Sequence, residues 1–535
     1  MSFRLWLQRV FTKWRSLLLV FIVLYAFMLS LNLGYMTIQW DEVPHLYGGL
    51  LLTRGQSQEY VATYGYYPPV YDLLTAFFFN LFGVGATSGR LVAVIFSILS
   101  LWIVFEFADR IYGPKTALVA SILLGVMPGF FWVSRIAMLE TALVFFFSLA
   151  LLFFFSWMPS SKNKTLLFCG LALGVGFLAK YQILVAGVVM IVAILVLFRD
   201  KLRLRFSKFL VLPLIAILVI APWVLVLYQI NGLGKLGELL YVVQEGGQDR
   251  AEYSQRFPMP IFYLVEMTWP FNEIPVHPIS LPLYVLGLCG LALWVYRRKT
   301  EDKFFLVWFF TVYVFFTFVP NKQWRYVTPL FPVLAISASN FMFFVYGKIG
   351  AVWRSGQARL SNNHARRVAA ALLIVFAASV VIYSSYDAYQ MTARDQIHIP
   401  IDEAANYLAS HMSLNESAVI VCAFNLLNQD MLRFYLPANM SKDQSWQYPD
   451  LPVDSFKPNF NITEFVSLCQ QRNVKYIILF DFGPYMQFFN STLDYTQVKT
   501  MIYNTGRFDV PTDRPFFGDF SNNKGYRLFL VRFNG

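Results

Sequence analysis

The chain has 535 residues, of which 57% are hydrophobic and 18% aromatic, with a mean hydropathy of +0.52. Charged residues make up 14%, against about 25% in a soluble protein, which excludes a soluble globular enzyme and points to a polytopic α-helical membrane protein. The net charge of +12 is not a nucleic-acid footprint, because most Lys and Arg fall in short loops between apolar runs, as the positive-inside rule requires.

The first apolar run, 16–36, follows the basic residues Arg4, Arg9, Lys13 and Arg15. It is too long for a signal-peptide core and no small-residue cleavage site follows, so it is expected to stay as a helix with a cytoplasmic N-terminus. The loop 37–87 comes next. Asp41 to Arg54 has the pattern of a helix ended by Gly55, and the apolar piece 68–82, opened by Pro68, is short enough to lie in the interface. With that piece outside the count, spans are expected at 88–107, 116–134, 140–158, 165–180, 182–198, 209–228, 279–296, 304–319, 326–346 and 368–386. With 16–36 they make eleven, each needing about 20 residues to cross a ~30 Å core. Every strongly basic loop then lies inside, and a polar external loop runs from 229 to 278. Glu238, Glu245, Asp249, Arg250, Glu252, Arg256, Glu266 and His277 lie in that loop, which reads as a mobile cover.

From about 387 the composition changes. Runs 418–424, 474–480 and 526–533 read as buried strands, and 401–412 and 462–472 have helical spacing. About 150 residues suffice for one domain. The expected architecture is therefore a transmembrane domain over 1–386 and a soluble extracytoplasmic α/β domain over 387–535, in a multi-pass protein of the plasma membrane. Glycosylation sequons begin at Asn415, Asn439, Asn461 and Asn490, but another at Asn163 falls in an expected cytoplasmic loop. Cys169 and Cys289 fall in membrane helices as packing residues. Cys422 and Cys469 lie in the tail, where pairing is open.

Chemistry-bearing residues gather where helices end. Asp41 and Glu42 stand together just after the first span, beside Trp40 and His45. Such acids are often plain solvated loop charges, but here Tyr47 and the run Tyr64 to Pro69, with Tyr66 and Tyr67 at its centre, supply material for a sugar-binding cleft. A carboxylate there can take a proton from an acceptor hydroxyl or amine. Arg135 and Glu140 share a short turn between spans. Snorkelling explains the Arg and helix N-terminal placement the Glu, while an ionisable group opening an apolar span is equally a site candidate. Lys180 ends another span on the same side, where snorkelling is the plainer role. Lys322 and Arg325 run against the positive-inside trend, and a lipid phosphate gives them a reason. No nucleotide loop or zinc spacing is present. His45, Glu59 and Glu140 offer ligands to a divalent ion, but their spacing is not specific for one.

In order along 16–346, Trp40-Asp41-Glu42, Tyr67-Pro68-Pro69-Val70-Tyr71, Ser88-Gly89-Arg90-Leu91, Arg135 to Glu140, Gly174 to Lys180 and Arg325 to Pro332 make up a set that resembles the GT-C membrane glycosyltransferases. The likeness is to the protein O-mannosyltransferase superfamily and the lipid A aminoarabinose transferases in particular. The tail resembles the external domain of many of these enzymes. The resemblance implies a polyprenyl- or dolichyl-phosphate sugar donor, an external active site, an extracytoplasmic acceptor and inversion at the anomeric carbon. Carried over residue by residue, it makes Asp41 the base or acceptor-orienting acid with Glu42 as its neighbour and Glu140 as a further acid. It also makes Arg135, Lys322 and Arg325 the grip on the donor phosphate. Two positions depart from the pattern: many relatives have Asp at Glu140, and Lys at Tyr67. The competing class is a transporter or flippase of lipid-linked sugars, which calls for acids near the midplane and broken helices in two repeats. The acids here collect at helix ends, and no internal repeat is seen.

Overall fold

The computed structural model describes residues 12–246, 252–269, 277–352, 362–394, 398–421, 427–440, 445–447, 461–481, 495–518 and 527–535. Two compact units divide the chain: Met1–Leu31, Gln58–Leu74 and Arg90–Arg394 form the first, and Asn32–Ser57, Thr75–Gly89 and Asp395–Gly535 the second. The units divide differently from the 386/387 boundary read from composition, because two pieces of the first loop group with the tail.

Each expected span contains helix, but 16–36 is helical only to Ser30. Among the described residues six helices are long and apolar enough to cross a membrane, within Lys13–Ser30, Ala86–Tyr112, Glu140–Ser160, Phe206–Ile230, Trp324–Lys348 and Arg367–Ala393. The chain is thus a multi-pass membrane protein. Pro114–Gly125, Asn163–Ala179, Tyr181–Leu197 and Leu281–Arg297 are shorter apolar helices, and Thr300–Thr317 opens on Glu301, Asp302 and Lys303.

The expected span 116–134 is broken in two. Helix Pro114–Gly125 stops, and Met127 takes an extended ψ of 121° ahead of Pro128, which starts Pro128–Val133. The residue before a proline is pushed out of the helical region. Val70–Phe82 has 13 residues, about 20 Å at 1.5 Å per residue, short of the ~30 Å a span needs. The loop expected from 229 is instead helical at first, since one helix runs from Arg199 to Gly246. Asp249 and Arg250 lie outside the described residues.

Buried polar contacts tie the helices at one end. Asp302 is fully buried. Arg297 grips it through Nε to Oδ2 at 2.9 Å and Nη2 to Oδ1 at 2.7 Å. The Tyr112 hydroxyl donates to Oδ1 at 2.6 Å. Asn340 Oδ1 accepts from Arg297 at 2.9 Å and from Trp294 at 3.1 Å. Four helices meet in this one network. Close packing continues along Leu281–Arg297: a Cβ on Gly290 would lie 2.2 Å from the Ser337 carbonyl oxygen, so only glycine allows that approach to Phe331–Val352.

The second unit contains the α/β module expected of the tail. Strands β1 (Ser417–Val421), β2 (Ser445–Gln447), β3 (Val474–Asp481), β4 (Phe508–Asp509), β5 (Phe516–Phe517) and β6 (Arg527–Phe533) form one sheet in the order β2-β1-β3-β6-β4, with β5 beside β6. The β1 pairs are parallel, and those of β6 antiparallel. Val419, Ile477, Leu479 and Val531 pack with Phe465 of helix Ile462–Gln471. The expected strands and helices form within a few residues of their read positions, while helix Gln429–Tyr435 was not legible. Cys469 is a buried free thiol in this core, its pKa pushed up to about 12 by burial. Cys422 lies outside the described residues.

Helix Val43–Thr53 explains why the first loop joins this unit. It is buried along most of its length, and it packs on Gln429–Tyr435. Arg54 donates to the Leu436 carbonyl at 3.1 Å, and the Thr37 hydroxyl donates to the Ile399 carbonyl at 3.0 Å. Gly55, with φ +74°, ends the helix as its sequence position requires.

Two outcomes follow. Asp302→Ala leaves the part-buried Arg297 without its carboxylate, which costs up to about 3–5 kcal/mol, the figure for a fully buried pair. We expect a large fall in melting temperature in detergent, absent from a control at exposed Arg298. Glu266, buried in the short helix Phe262–Glu266, has its pKa raised from 4.5 to about 7 by burial, partly offset by Arg256. Its folded pKa lies above its unfolded one, so the penalty on the charged form is absent below the unfolded value and complete above the folded one. Hydrogen exchange over 262–269 is therefore expected to show better protection at pH 5 than at pH 8, after correction for intrinsic rates. Glu266→Gln removes that difference.

Candidate active site

The first unit brings three of the sequence candidates together. Helix Asn163–Ala179 ends where Lys180 turns extended (φ −160°, ψ 126°), before the single turn Tyr181–Ile183. This break aims Lys180 sideways at the first residue of helix Glu140–Ser160. Lys180 Nζ lies 2.8 Å from Glu140 Oε1, with side chains 14% and 4% exposed. Arg325, half-buried at the start of Trp324–Leu330, bears electrostatically on the same carboxylate. Its Nη1 reaches Met138 Sδ at 3.4 Å, and Gln323 Oε1 accepts from Nη2 at 2.7 Å. Two cations, Lys180 and Arg325, thus act on the one buried carboxylate. Glu140 Oε2 is buried and makes no hydrogen bond to another described residue.

Arg135 has a definite local role. Its Nη1 donates to the carbonyls of Met28 and Leu29 at 3.1 and 2.8 Å, and Nη2 to that of Leu31 at 2.7 Å. It thus satisfies the open carbonyl end of helix Lys13–Ser30, where the dipole also favours a cation. Burial, then the neighbouring Arg90, push its pKa below the ordinary value. Lys322 is 7% exposed, and its Nζ donates to the Pro320 carbonyl at 3.2 Å. Its backbone N–H donates to Ser254 Oγ at 3.1 Å. Glu59 lies in the first turn of Ser57–Tyr64, and the Tyr66 and Tyr67 rings sit 4.5 Å apart just beyond it.

Asp41, Glu42, Trp40 and His45 belong to the second unit. Trp40–Glu42 is one turn of 3₁₀ helix leading into Val43–Thr53. The two acids differ sharply. Glu42 is fully buried, and its Oε2 accepts the Gln39 N–H at 2.9 Å while Gln39 returns a side-chain bond, a reciprocal cap. Asp41 is exposed on the same turn. Structure thus gives Glu42 the work of fixing the turn that presents Asp41. His45 is buried on the helix face. Among the described residues no three His, Cys, Asp or Glu gather as a metal-ligand set.

Two buried ionisable groups escaped the sequence reading as site residues. Asp72 is fully buried on Val70–Phe82 and accepts from the Tyr60 hydroxyl at 2.8 Å. Arg90 is fully buried in helix Ala86–Tyr112. The signal for both was a lone charge inside an apolar helix, which is costly unless it is used.

Residues 67–226 match a family model described as dolichyl-phosphate-mannose-protein mannosyltransferase. That segment includes Asp72, Glu140 and Lys180. The undecaprenyl phosphate-alpha-4-amino-4-deoxy-L-arabinose arabinosyl transferase of Edwardsiella ictaluri is 26% identical over 51% of this chain and 49% of its own length. The chain spans about half the length of the curated relatives it matches. ArnT from Cupriavidus metallidurans superposes with a TM-score of 0.60 at 15% identity, over 96% of this chain and 97% of its own, and has also been solved bound to undecaprenyl phosphate. The oligosaccharyltransferase AglB of Archaeoglobus fulgidus gives 0.54 at 13%, over 88% of this chain and 70% of its own; it was solved with an inhibitory peptide and a dolichol-phosphate. At such identities these likenesses speak for the fold. The chain has the GT-C fold of membrane glycosyltransferases, and its segment 67–226 carries the protein mannosyltransferase pattern within that fold.

Proposed function

We propose that the protein is an integral-membrane glycosyltransferase that moves one sugar from a polyprenyl phosphate to an acceptor outside the cytoplasm. The observation that carries this reading is the buried Glu140–Lys180 pair with Arg325 beside it. A polyprenyl-phosphoryl sugar is a phosphodiester with one negative charge, and Lys180 and Arg325 are cations placed to attract it. When the bond between the anomeric carbon and the phosphate oxygen breaks, the leaving polyprenyl phosphate gains a second charge. Fixed cations in a desolvated site stabilise that charge where it grows. Arg forks onto phosphate oxygens, and Lys adds a point charge.

The acceptor oxygen or nitrogen attacks the anomeric carbon from the face opposite the phosphate, with inversion, and its proton passes to a carboxylate. Asp41 is the residue proposed for that role, because it is exposed while its neighbour Glu42 is committed to the turn. Arg135 and Lys322 add positive potential while bonding to backbone carbonyls. The protein mannosyltransferase match and the fold shared with ArnT and AglB favour transfer over a flippase. The basic-loop pattern supports a cytoplasmic N-terminus, a tail outside and residence in the plasma membrane. Protein, lipid and envelope glycan are the acceptor classes that fit, and hexose and pentose the sugars.

Purified protein given radiolabelled polyprenyl-phosphoryl sugars and envelope extract is expected to move label to an extracytoplasmic acceptor. Asp41→Asn is expected to slow transfer by about 10² to 10⁴, the worth of a general base, with donor binding intact. Transfer at the wild-type rate in that variant would remove Asp41 from the chemistry.

A further inference from the structure

At the Glu140–Lys180 pair and the turn that follows it lie buried polar atoms that make no hydrogen bond to a described residue. Tyr181 and Gln182 follow Lys180 directly. The Tyr181 hydroxyl, Gln182 Oε1, Trp223 Nε1 and Glu140 Oε2 are all buried, and none makes a hydrogen bond to a described residue. Tyr181 and Trp223 are side-chain neighbours close enough to interact, yet the geometry between hydroxyl and indole N–H is not that of a formed hydrogen bond. Buried polar groups are normally satisfied, and each orphan costs free energy. Tyr181 and Trp223 are neighbours, Glu140 contacts Lys180, and Gln182 lies two residues on, so orphans at this break call for a ligand.

The same neighbourhood has a built wall. Tyr60 packs against Trp223 with ring centroids 6.4 Å apart. Its hydroxyl is held by Asp72 at 2.8 Å, and both residues are buried. Asp72 is close enough to act electrostatically on Tyr181 as well. A carboxylate sunk in an apolar helix thus fixes Tyr60, and Tyr60 backs the indole.

The geometry points to a sugar subsite: Tyr181, Gln182 and Trp223 bind hydroxyl groups of the transferred sugar beside the phosphate grip, with Asp72 and Tyr60 as positioning residues. The donor and acceptor count selects this ligand. Trp223 Nε1 only donates, Gln182 Oε1 and Glu140 Oε2 only accept, and Tyr181 does either. A phosphate, which at neutral pH offers acceptors, would satisfy Trp223 and leave the two acceptors empty. A polyhydroxylated group both donates and accepts, so it satisfies all four. The indole and phenol rings add apolar faces for the ring C–H groups of a sugar. The assignment rests on the donor reading given above and extends it from the phosphate to the sugar.

Binding is measured with full-length protein in nanodiscs, using farnesyl phosphate and its mannosyl, glucosyl and arabinosyl phosphodiesters as probes. The wild type is expected to bind at least one sugar-bearing probe more tightly than farnesyl phosphate. Tyr181→Phe and the near-isosteric Gln182→Met are each expected to cut that advantage about tenfold, the worth of one hydrogen bond in a dry site, with farnesyl phosphate bound as before. Both variants are expected to melt no lower than wild type without ligand, because each removes an unsatisfied buried group. A structural role would lower the melting temperature. An advantage that survives undiminished in both variants overturns the subsite and leaves the donor reading standing. A wild type that prefers none of the sugar probes to farnesyl phosphate overturns the subsite too. Binding preference with no transfer to any acceptor sinks the transferase reading alone.

Discussion

The structure turns on one contact, the salt bridge between Glu140 and Lys180. Neither group is affordable alone in an apolar setting, and together they hold three chain segments in place. The pair needs the helix Asn163–Ala179 to break at Lys180, and it needs helix Glu140–Ser160 to begin on a carboxylate. Both conditions are written in the sequence as charges placed where apolar runs stop. A buried pair of this kind is weak support for stability, since well-packed apolar residues of the same volume often do as well. Its better justification is a charged ligand, and Arg325 bears on the same carboxylate.

Much of the membrane unit was legible because long apolar runs have one cheap solution, a helix that satisfies its own backbone. Each of the eleven expected spans contains helix for that reason, though 16–36 stops at Ser30 and 116–134 is interrupted. Lengths were less legible. The break at Pro128 was written in the sequence, but hydropathy averaged over it. The 48-residue helix Arg199–Gly246 runs on past its apolar part, where polar composition suggested loop. In the tail, strands such as Val474–Asp481 were visible as apolar runs, whereas Gln429–Tyr435 is too short to show a period.

The site was legible as residue types and less so as partnerships. Glu140, Lys180 and Arg325 were each visible as charges at helix ends, but their meeting depends on packing over 185 positions of chain. Arg135 shows the other limit. Its place in a short turn fits a ligand contact and a helix cap equally well, and the carbonyls of Met28, Leu29 and Leu31 claim it as a cap. Asp41 and Glu42 looked like a matched pair. Burial separates them, one tied to Gln39 and the other presented to solvent. Asp72 was hidden because the helix around it read as interfacial, where a single acid attracts no notice.

The central claim is that Lys180 and Arg325, the cations beside Glu140, receive a lipid phosphate. The direct measurement is the dissociation constant of undecaprenyl phosphate in nanodiscs for wild type, Arg325→Gln and the exposed control Arg298→Gln. A hydrogen bond to a charged group contributes about 1.5–3 kcal/mol, so Arg325→Gln should bind tenfold or more weakly while Arg298→Gln matches wild type. Equal binding by all three would contradict the account.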